Sequence, residues 1–436
     1  MEGNKMRIKI SDIKSNATFL LICMGLFFTP GIMRTTIVKS QWALINVLSW
    51  LGYFLLVKRF IKKGKISVSR HNKYGVLNPL WIILIIVLFI FESMLLPEFE
   101  TISKIKYIYA TILPCCVLYT KLPKDEIVRY TKIFSYVLTV AGTIVVMCGV
   151  LDMFIGVGIG NFIATFTGVD SLIESVRQGR MVSYFGHPLL TTEILILCFS
   201  FNSIVNYCIK KQSIAYTVYY SIICVVGIGL CGSKTGIILI TIEFIFMYVN
   251  RRGLRYFILI VIVAYLAYSY GLLDTVIGRF IAGFESGDLT TGRNTALALV
   301  LQSGYLKFNF FVGHAGTELS ERMIAALEYP PLRWAYLFGI WFAIMICVVL
   351  FIIPFVKIIK SRNMKIIIVA ITLIFDVNSY NGITTQSDHM LLFCVAMFLL
   401  MNLCDALRGK ENENMYISSK PVYIGGHTKG SNYNIK

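Results

Sequence analysis

Charged side chains are scarce in this chain: they make up 15% of its 436 residues, whereas a soluble domain carries about a quarter. Acidic residues are the scarcer kind, 23 against 41 lysines and arginines, so the net charge is +18. The hydrophobic share is 57%, and several runs approach the length of about twenty apolar residues that crosses a bilayer. The shortage of charge excludes a soluble enzyme and predicts an all-α, polytopic integral membrane protein.

Histidine is also rare, with five in the chain, and no spacing of His, Cys, Asp or Glu matches a metal site. The eleven cysteines lie in or beside apolar segments, which favours small buried hydrophobes over a disulfide framework. The Gly-x-x-x-x-Gly-Lys phosphate loop is missing, and nucleotide binding is rejected with it. The sequence therefore predicts no metal and no cofactor.

The excess of basic residues lies in short clusters between the apolar segments. Such clusters are typical of topology signals and lipid-headgroup contacts, and they do not form a soluble basic domain for nucleic acid. With the N-terminus placed inside, 29 of the 41 lysines and arginines fall on the inner side. The positive-inside rule then predicts a multi-pass protein with both termini in the cytoplasm.

The apolar segments predict about twelve transmembrane helices. They form a transmembrane domain, 1–404, followed by a polar cytoplasmic tail, 405–436, whose composition is typical of disorder. Two long loops, 156–187 and 273–332, face outward, and long polar loops between spans are usually functional. The predicted spans are 17–33, 42–57, 77–96, 107–120, 133–155, 188–208, 214–230, 235–250, 254–272, 333–356, 365–378 and 389–404.

The first long loop carries Arg177, Arg180 and His187 just before a span that Pro188 is well placed to start. Arginine at this depth is costly unless it meets an anion or a carboxylate. Two arginines with a histidine and glycines favour two interpretations about equally: a ligand site, and arginines that contact lipid headgroups. Glu193, inside the span, is a candidate partner for Arg180 or His187.

A second basic feature is the tight turn Cys231–Gly236 between two later spans, with the single lysine Lys234. Its glycines allow an unusual backbone, and the lysine with its neighbouring hydroxyls could contact an anionic ligand.

The large loop holds Arg279, then Arg293 at the start of a predicted short helix, then His314 between two glycines, and then Glu318. A helix start beside an arginine is suited to an anion. Histidine titrates near neutral pH and can act as an acid or a base, although a turn residue without a chemical role is an equally good interpretation of His314. The alternative for the whole loop is a structural lid without chemistry.

Together these motifs resemble the O-antigen polymerase and O-antigen ligase superfamily of bacterial inner-membrane glycosyltransferases. The resemblance covers about residues 170–350. It is carried by an arginine before Gly-His-Pro, by Gly-Ser-Lys-Thr-Gly between two spans, by Thr-Gly-Arg and by Gly-His-Ala-Gly; these motifs are Arg180 with Gly186–Pro188, Gly232–Gly236, Thr291–Arg293 and Gly313–Gly316.

Two departures from the family pattern matter. Many relatives have Ser-Arg-Gly where this chain has Ser233-Lys234-Thr235. Ligases carry a histidine just before the span that follows the large loop, whereas here Glu328–Arg333 contains none. The second departure favours a polymerase and leaves the identity of the catalytic base open.

The resemblance implies an enzyme that polymerises undecaprenyl-diphosphate-linked oligosaccharide repeat units, without metal, into capsular polysaccharide, exopolysaccharide or O-antigen. The reaction takes place at the outer face of the bacterial cytoplasmic membrane, with a flippase and a chain-length regulator as partners. The candidate catalytic residues are Arg180, Arg293 and His314, and the candidate substrate-binding residues are Arg177, His187, Lys234, Arg279 and Glu318. Alternatives are a ligase that transfers finished glycan to an acceptor and, from another class, a flippase or transporter of lipid-linked oligosaccharide.

Overall fold

A computed structural model shows that the chain is all-α over the residues that it describes, and no strand occurs there. These residues are 10–62, 80–248, 254–287, 293–317, 327–380, 382–384 and 388–418. In chain order the helices are α1 Ile10–Phe28, α2 Gly31–Val38, α3 Val47–Lys62, α4 Leu80–Met94, α5 Thr101–Tyr107, α6 Leu113–Leu118, α7 Lys124–Ile155, α8 Ile159–Thr167, α9 Asp170–Arg177, α10 Pro188–Ile204, α11 Ile214–Leu230, α12 Lys234–Tyr248, α13 Leu254–Ser269, α14 Asp274–Glu285, α15 Arg293–Gln302, α16 Pro330–Phe338, α17 Ile340–Cys347, α18 Ile353–Ile359, α19 Met364–Asn378 and α20 His389–Ser418.

Five continuous helices are long and apolar enough to cross a membrane, and a bent pair in α1 and α2 would make a sixth. Three of the five contain a π-helical turn. One turn joins α5 to α6, the second extends α10 to Ile209, and the third joins α17 to α18. The five are Thr101–Leu118, Lys124–Ile155, Pro188–Ile209, Ile340–Ile359 and His389–Arg408. The prediction of an α-helical membrane protein is confirmed, and each of the twelve predicted segments overlaps a helix.

Two predicted spans are interrupted. The first helix ends at Phe28, and the chain turns by 74° into α2 after Pro30, whose ring cannot donate a backbone hydrogen bond. The predicted span 333–356 is divided at Gly339, which has a φ of +94°. A Cβ at this position would lie 2.9 Å from the carbonyl of Phe311, so only glycine allows the large loop to pack here.

Helix α20 continues into the predicted tail, through residues 405–418. Asp405, the first residue of the predicted tail, forms an ion pair with Lys357 at 3.0 Å, which ties this part of the helix to α18. The residues after Asp405 include good helix formers, so the change to a polar composition at this point does not coincide with the end of α20. Residues 419–436 lie outside the described part of the chain.

Helices α10 and α20 form the centre of the bundle, and 89% of the apolar stretch of each is buried. Helix α10 packs against α7, α11, α12 and α19, while α20 packs against α6, α7, α18 and α19. Both central helices begin at the wall of the same cavity, with His187 and Pro188 at the start of one and Asp388 and His389 at the start of the other. The fold therefore brings two N-terminal helix ends together.

Candidate functional site

A cavity of 580 Å³ lies where α10 and α20 begin. Its wall combines the break between α1 and α2, the first long loop, the large loop and the segment between α19 and α20. The two loops that were predicted to form one site therefore meet here. The ionisable residues of the wall are Arg180, His187, Arg279, Arg293, Glu328, Tyr380, Asp388 and His389.

Arg180 is held rigidly in the wall and is only 8% exposed. Its Nε donates to the carbonyl of Cys231 at 2.9 Å, and the next residue, Met181, donates its backbone N–H to Leu230 at 2.8 Å. Within the described residues its Nη2 is buried without a hydrogen-bond partner. Burial, and then repulsion from Arg279, lowers the pKa of Arg180 to about 10, so the side chain remains a cation at neutral pH.

Arg279 is held by the same turn, since its Nη1 donates to the carbonyl of Gly232. Gly232 has a φ of +62°, and a Cβ there would come within 3.0 Å of Thr275 and 3.5 Å of the Arg180 side chain. The turn between α11 and α12 was predicted to contact an anion itself. Its backbone also orients two guanidinium groups at the cavity, and the carbonyls accept their hydrogen bonds without neutralising their charge.

Arg293, the first residue of α15, connects the large loop to the helical bundle. It forms an ion pair with Glu328 at the far end of that loop, and its Nη1 donates to the carbonyl of Ser379 just after α19. The helix predicted after this residue is present. These contacts position the third arginine of the cavity and connect two parts of the large loop with the segment after α19.

Lys234 starts α12 and is almost fully buried. It lines a second cavity of 320 Å³ together with the hydroxyl-bearing residues Ser233 and Thr235. This cavity shares Arg279 and Arg293 with the first one. Arg180, Arg279, Arg293 and Lys234 thus form one positive region over two adjoining cavities.

His187 presents a hydrogen-bond donor to this region. Its Nδ1 accepts from the backbone N–H of Leu189 at 3.2 Å, so the neutral ring carries its proton on Nε2. Burial, followed by repulsion from Arg180 and Arg293, lowers the pKa of His187 to about 4. The ring is therefore neutral at physiological pH and can donate from Nε2.

The opposite wall contains a group that the sequence did not reveal: Glu193, Tyr380 and His389 are all buried and hydrogen-bonded together. Nδ1 of His389 lies 2.9 Å from Oε2 of Glu193 and 3.0 Å from the Tyr380 hydroxyl, which also donates to Glu193. Glu193 was expected to pair with Arg180 or His187. It pairs with His389 instead, because α10 and α20 both begin at the cavity, and no local motif indicates a pairing over 196 residues.

Asp388 is neutralised by its own partners. Arg34 of α2 forms two bonds to its carboxylate, at 2.7 and 3.1 Å, and Asn46 donates a third at 3.0 Å. This bidentate pair fixes the chain break at Pro30 against the start of α20.

Two of the candidates from the sequence, Arg177 and His314, line neither cavity. Arg177 points away, with a side chain 74% exposed and Glu174 at 3.8 Å. His314 contacts the carbonyl of Lys307 through Nε2 at 2.9 Å, and its ring lies 4.9 Å from that of Tyr336. Glu318 lies outside the described residues.

Across the described ranges, no group of three His, Cys, Asp or Glu side chains is arranged to hold a metal ion. Comparison with known proteins gives no match among family models, curated proteins or solved structures.

Proposed function

We propose that the chain is a membrane glycosyltransferase that polymerises lipid-diphosphate-linked oligosaccharide repeat units. Its support is the convergence of Arg180, Arg279 and Arg293, from two separate loops, on one cavity. Guanidinium groups placed so close together repel one another, and an anion bound between them removes that cost. A diphosphate provides the charge and the several oxygens that planar arginine forks bind well.

The rest of the cavity suits an amphiphile better than a soluble phosphate compound. Beside the arginines, its wall is made of aliphatic side chains from the starts of α10 and α20 and from α1; these are Leu26, Leu189, Leu190, Ile194 and Leu392. A lipid diphosphate has a charged head joined to a hydrocarbon chain, so each part meets a matching surface. Undecaprenyl diphosphate carrying an oligosaccharide is the donor that we propose.

The fixed arginines also suit the chemistry. Outside the cell no nucleoside triphosphate is present, so the energy for a new glycosidic bond must come from the substrate, and a lipid diphosphate is a good leaving group. Negative charge grows on the diphosphate as the bond to the sugar breaks. Arg180 and Arg279, preoriented by main-chain carbonyls, can stabilise that charge without reorganising.

The proposed topology is twelve spans with both termini in the cytoplasm. It is supported by the position of the cavity, since the ionisable residues of its wall all fall at outer ends or in outer loops of that topology. The site then faces outward at the surface of the bacterial cytoplasmic membrane. A site confined to one face supports an enzyme over a flippase, which needs polar groups along a path through the bilayer.

Reconstitution tests the proposal directly. The purified protein in lipid nanodiscs is supplied with lipid-linked oligosaccharides extracted from cells that lack its gene, and the products are separated by length. We expect a ladder of polymers and competition by added undecaprenyl diphosphate, with undecaprenyl monophosphate at least tenfold weaker. Transfer to a different acceptor without a ladder would indicate a ligase instead. No consumption of donor would contradict both.

A further inference from the structure

His389, the first residue of α20, is 8% exposed and lines the main cavity. Its Nδ1 lies within hydrogen-bond distance of two oxygen atoms, a carboxylate oxygen of Glu193 at 2.9 Å and the hydroxyl of Tyr380 at 3.0 Å. We assign the ring proton to Nδ1, because the Tyr380 hydrogen is already donated to Glu193 and the Glu193 oxygen at 2.9 Å can accept the Nδ1 hydrogen. The lone pair of the neutral ring is therefore on Nε2.

The two histidines of the cavity have opposite tautomers. His187 accepts at Nδ1 from a backbone N–H and carries a hydrogen on Nε2, whereas His389 donates at Nδ1 and carries a lone pair on Nε2. The first arrangement suits anion binding, and the second suits proton abstraction.

We propose that His389 is the catalytic base that removes the proton from the acceptor sugar hydroxyl, and that Glu193 and Tyr380 are its positioning residues. This assignment rests on the proposed function, because it needs a sugar hydroxyl that attacks a lipid-diphosphate donor. A carboxylate behind the imidazole fixes the ring and stabilises the imidazolium that forms.

The step balances without a further reactant. Nε2 of His389 takes the hydroxyl proton while the hydroxyl oxygen forms a bond to the anomeric carbon of the donor sugar. The bond from that carbon to the diphosphate oxygen breaks, and its electron pair leaves with the diphosphate, which Arg180, Arg279 and Arg293 hold. The imidazolium then returns its proton to water or to the departing diphosphate.

Several charged groups surround His389 and bear on its pH dependence. Glu193 of α10 and Tyr380 contact the ring, and Asp376 of α19 is close enough to Glu193 to interact with it electrostatically. Asp388, the preceding residue, is paired with Arg34 of α2. Arg180, Arg279, Arg293 and His187 line the same cavity as His389.

The test measures initial rates of polymer formation between pH 5 and 9, together with the affinity for undecaprenyl diphosphate, in nanodiscs. We expect His389→Gln to lower kcat roughly 100- to 10,000-fold, the usual contribution of a general base, while diphosphate affinity stays within about threefold. Glu193→Gln should slow the reaction and move the acid limb of the rate profile to lower pH, because the imidazolium loses its counter-charge. Glu243→Gln is the matched control, since this buried carboxyl is bonded to Ser200 away from the cavity.

Two results would overturn the assignment alone: a kcat of His389→Gln within tenfold of the wild type, or an acid limb that Glu193→Gln leaves unmoved. The second result overturns the assignment even if His389→Gln misfolds and loses diphosphate binding. A wild-type protein that binds undecaprenyl diphosphate but makes no polymer would overturn the proposed function, and the assignment with it. The two failures are therefore distinguishable.

Discussion

The two walls of the cavity manage charge in opposite ways. On the loop wall, Arg180 and Arg279 are oriented by the carbonyls of Cys231 and Gly232, which position a cation without cancelling it, while the third arginine, Arg293, is paired with Glu328. On the helix wall, the acidic groups have partners within the protein: Asp388 is paired with Arg34, and Glu193 is hydrogen-bonded by His389 and Tyr380.

This difference indicates a division of labour. A wall whose positive charge is positioned by neutral acceptors gains most from an anion that arrives from outside. A wall whose carboxylates already have partners within the protein does not attract an anion, but it can take up a proton and stabilise it. Under the proposed function, binding therefore belongs to the loops and proton transfer to the helices.

The largest effect on the loop wall should come from its arginines. Each charged hydrogen bond to a phosphate contributes on the order of 1.5–3 kcal/mol, so Arg180→Ala or Arg293→Ala should slow polymer formation roughly tenfold to a hundredfold or more. Lysine should rescue only partly, because it lacks the planar fork. Rates are compared at matched membrane abundance, with the exposed Arg177→Ala as reference.

A shared ligand also makes a prediction for the double variant. If Arg180 and Arg293 hold one diphosphate, the double alanine should be less impaired than the product of the two single losses. Strictly multiplicative losses would argue against a shared diphosphate, and full activity in both single variants would end the site hypothesis.

Gly232→Ala tests whether the turn backbone positions the arginines. The positive φ is strained for alanine, and the new methyl would press on Thr275 and the Arg180 side chain, so we expect about a tenfold loss of rate. Gly278→Ala is the control: it adds a methyl beside Arg279 where no atom lies within 4 Å. Equal effects of the two changes would contradict the role of the turn.

The burial of His187 among cations should make the stability of the folded protein depend on pH. Its pKa in the folded protein, about 4, lies below the ordinary value of 6.5, so the unfolded chain binds more protons between these values. The stability associated with the neutral ring is complete above about pH 6.5 and is lost as pH falls toward 4. His187→Asn should reduce this acid sensitivity by a few degrees of Tm, measured by thermal unfolding in detergent. An unchanged slope would show that the ring is not buried among cations.

The smallest effect is expected at His314, which lines neither cavity. His314→Asn should keep the rate of polymer formation within about threefold of the wild type, since only its contacts with Lys307 and Tyr336 change. A loss as large as that of Arg180→Ala would show that the sequence-based assignment of His314 to catalysis is correct and that the large loop rearranges during turnover.

The sequence predicts the architecture well where the signal is local. Apolar length identifies the helices, Pro188 marks the start of α10, and the short helix at Arg293 follows from its own residues. The gathering of basic residues in two long loops also predicts that Arg180, Arg279 and Arg293 are the residues to examine, and all three line one cavity.

What the sequence does not predict depends on packing between distant segments. Glu193 and His389 are isolated polar residues in apolar helices, and neither belongs to a motif that names its partner. The Gly-His-Ala-Gly motif suggested chemistry at His314, but its glycines have a packing role: a Cβ on Gly313 would lie 2.1 Å from the main chain of Leu337, and one on Gly316 would lie 2.6 Å from that of Glu98. Glycines that allow close backbone contact and glycines that shape a catalytic turn give the same motif in a sequence.

The pairing of Glu193 with His389 has a consequence for biogenesis. The two residues are 196 positions apart, and at about 5–20 residues per second the ribosome needs roughly 10–40 s to make the segment between them. During that time α10 is in the membrane without α20, and its carboxyl group lacks the imidazole that later binds it. Assembly of the cavity therefore cannot be completed while the helices are made one by one up to α19, and it has to wait for the synthesis of α20.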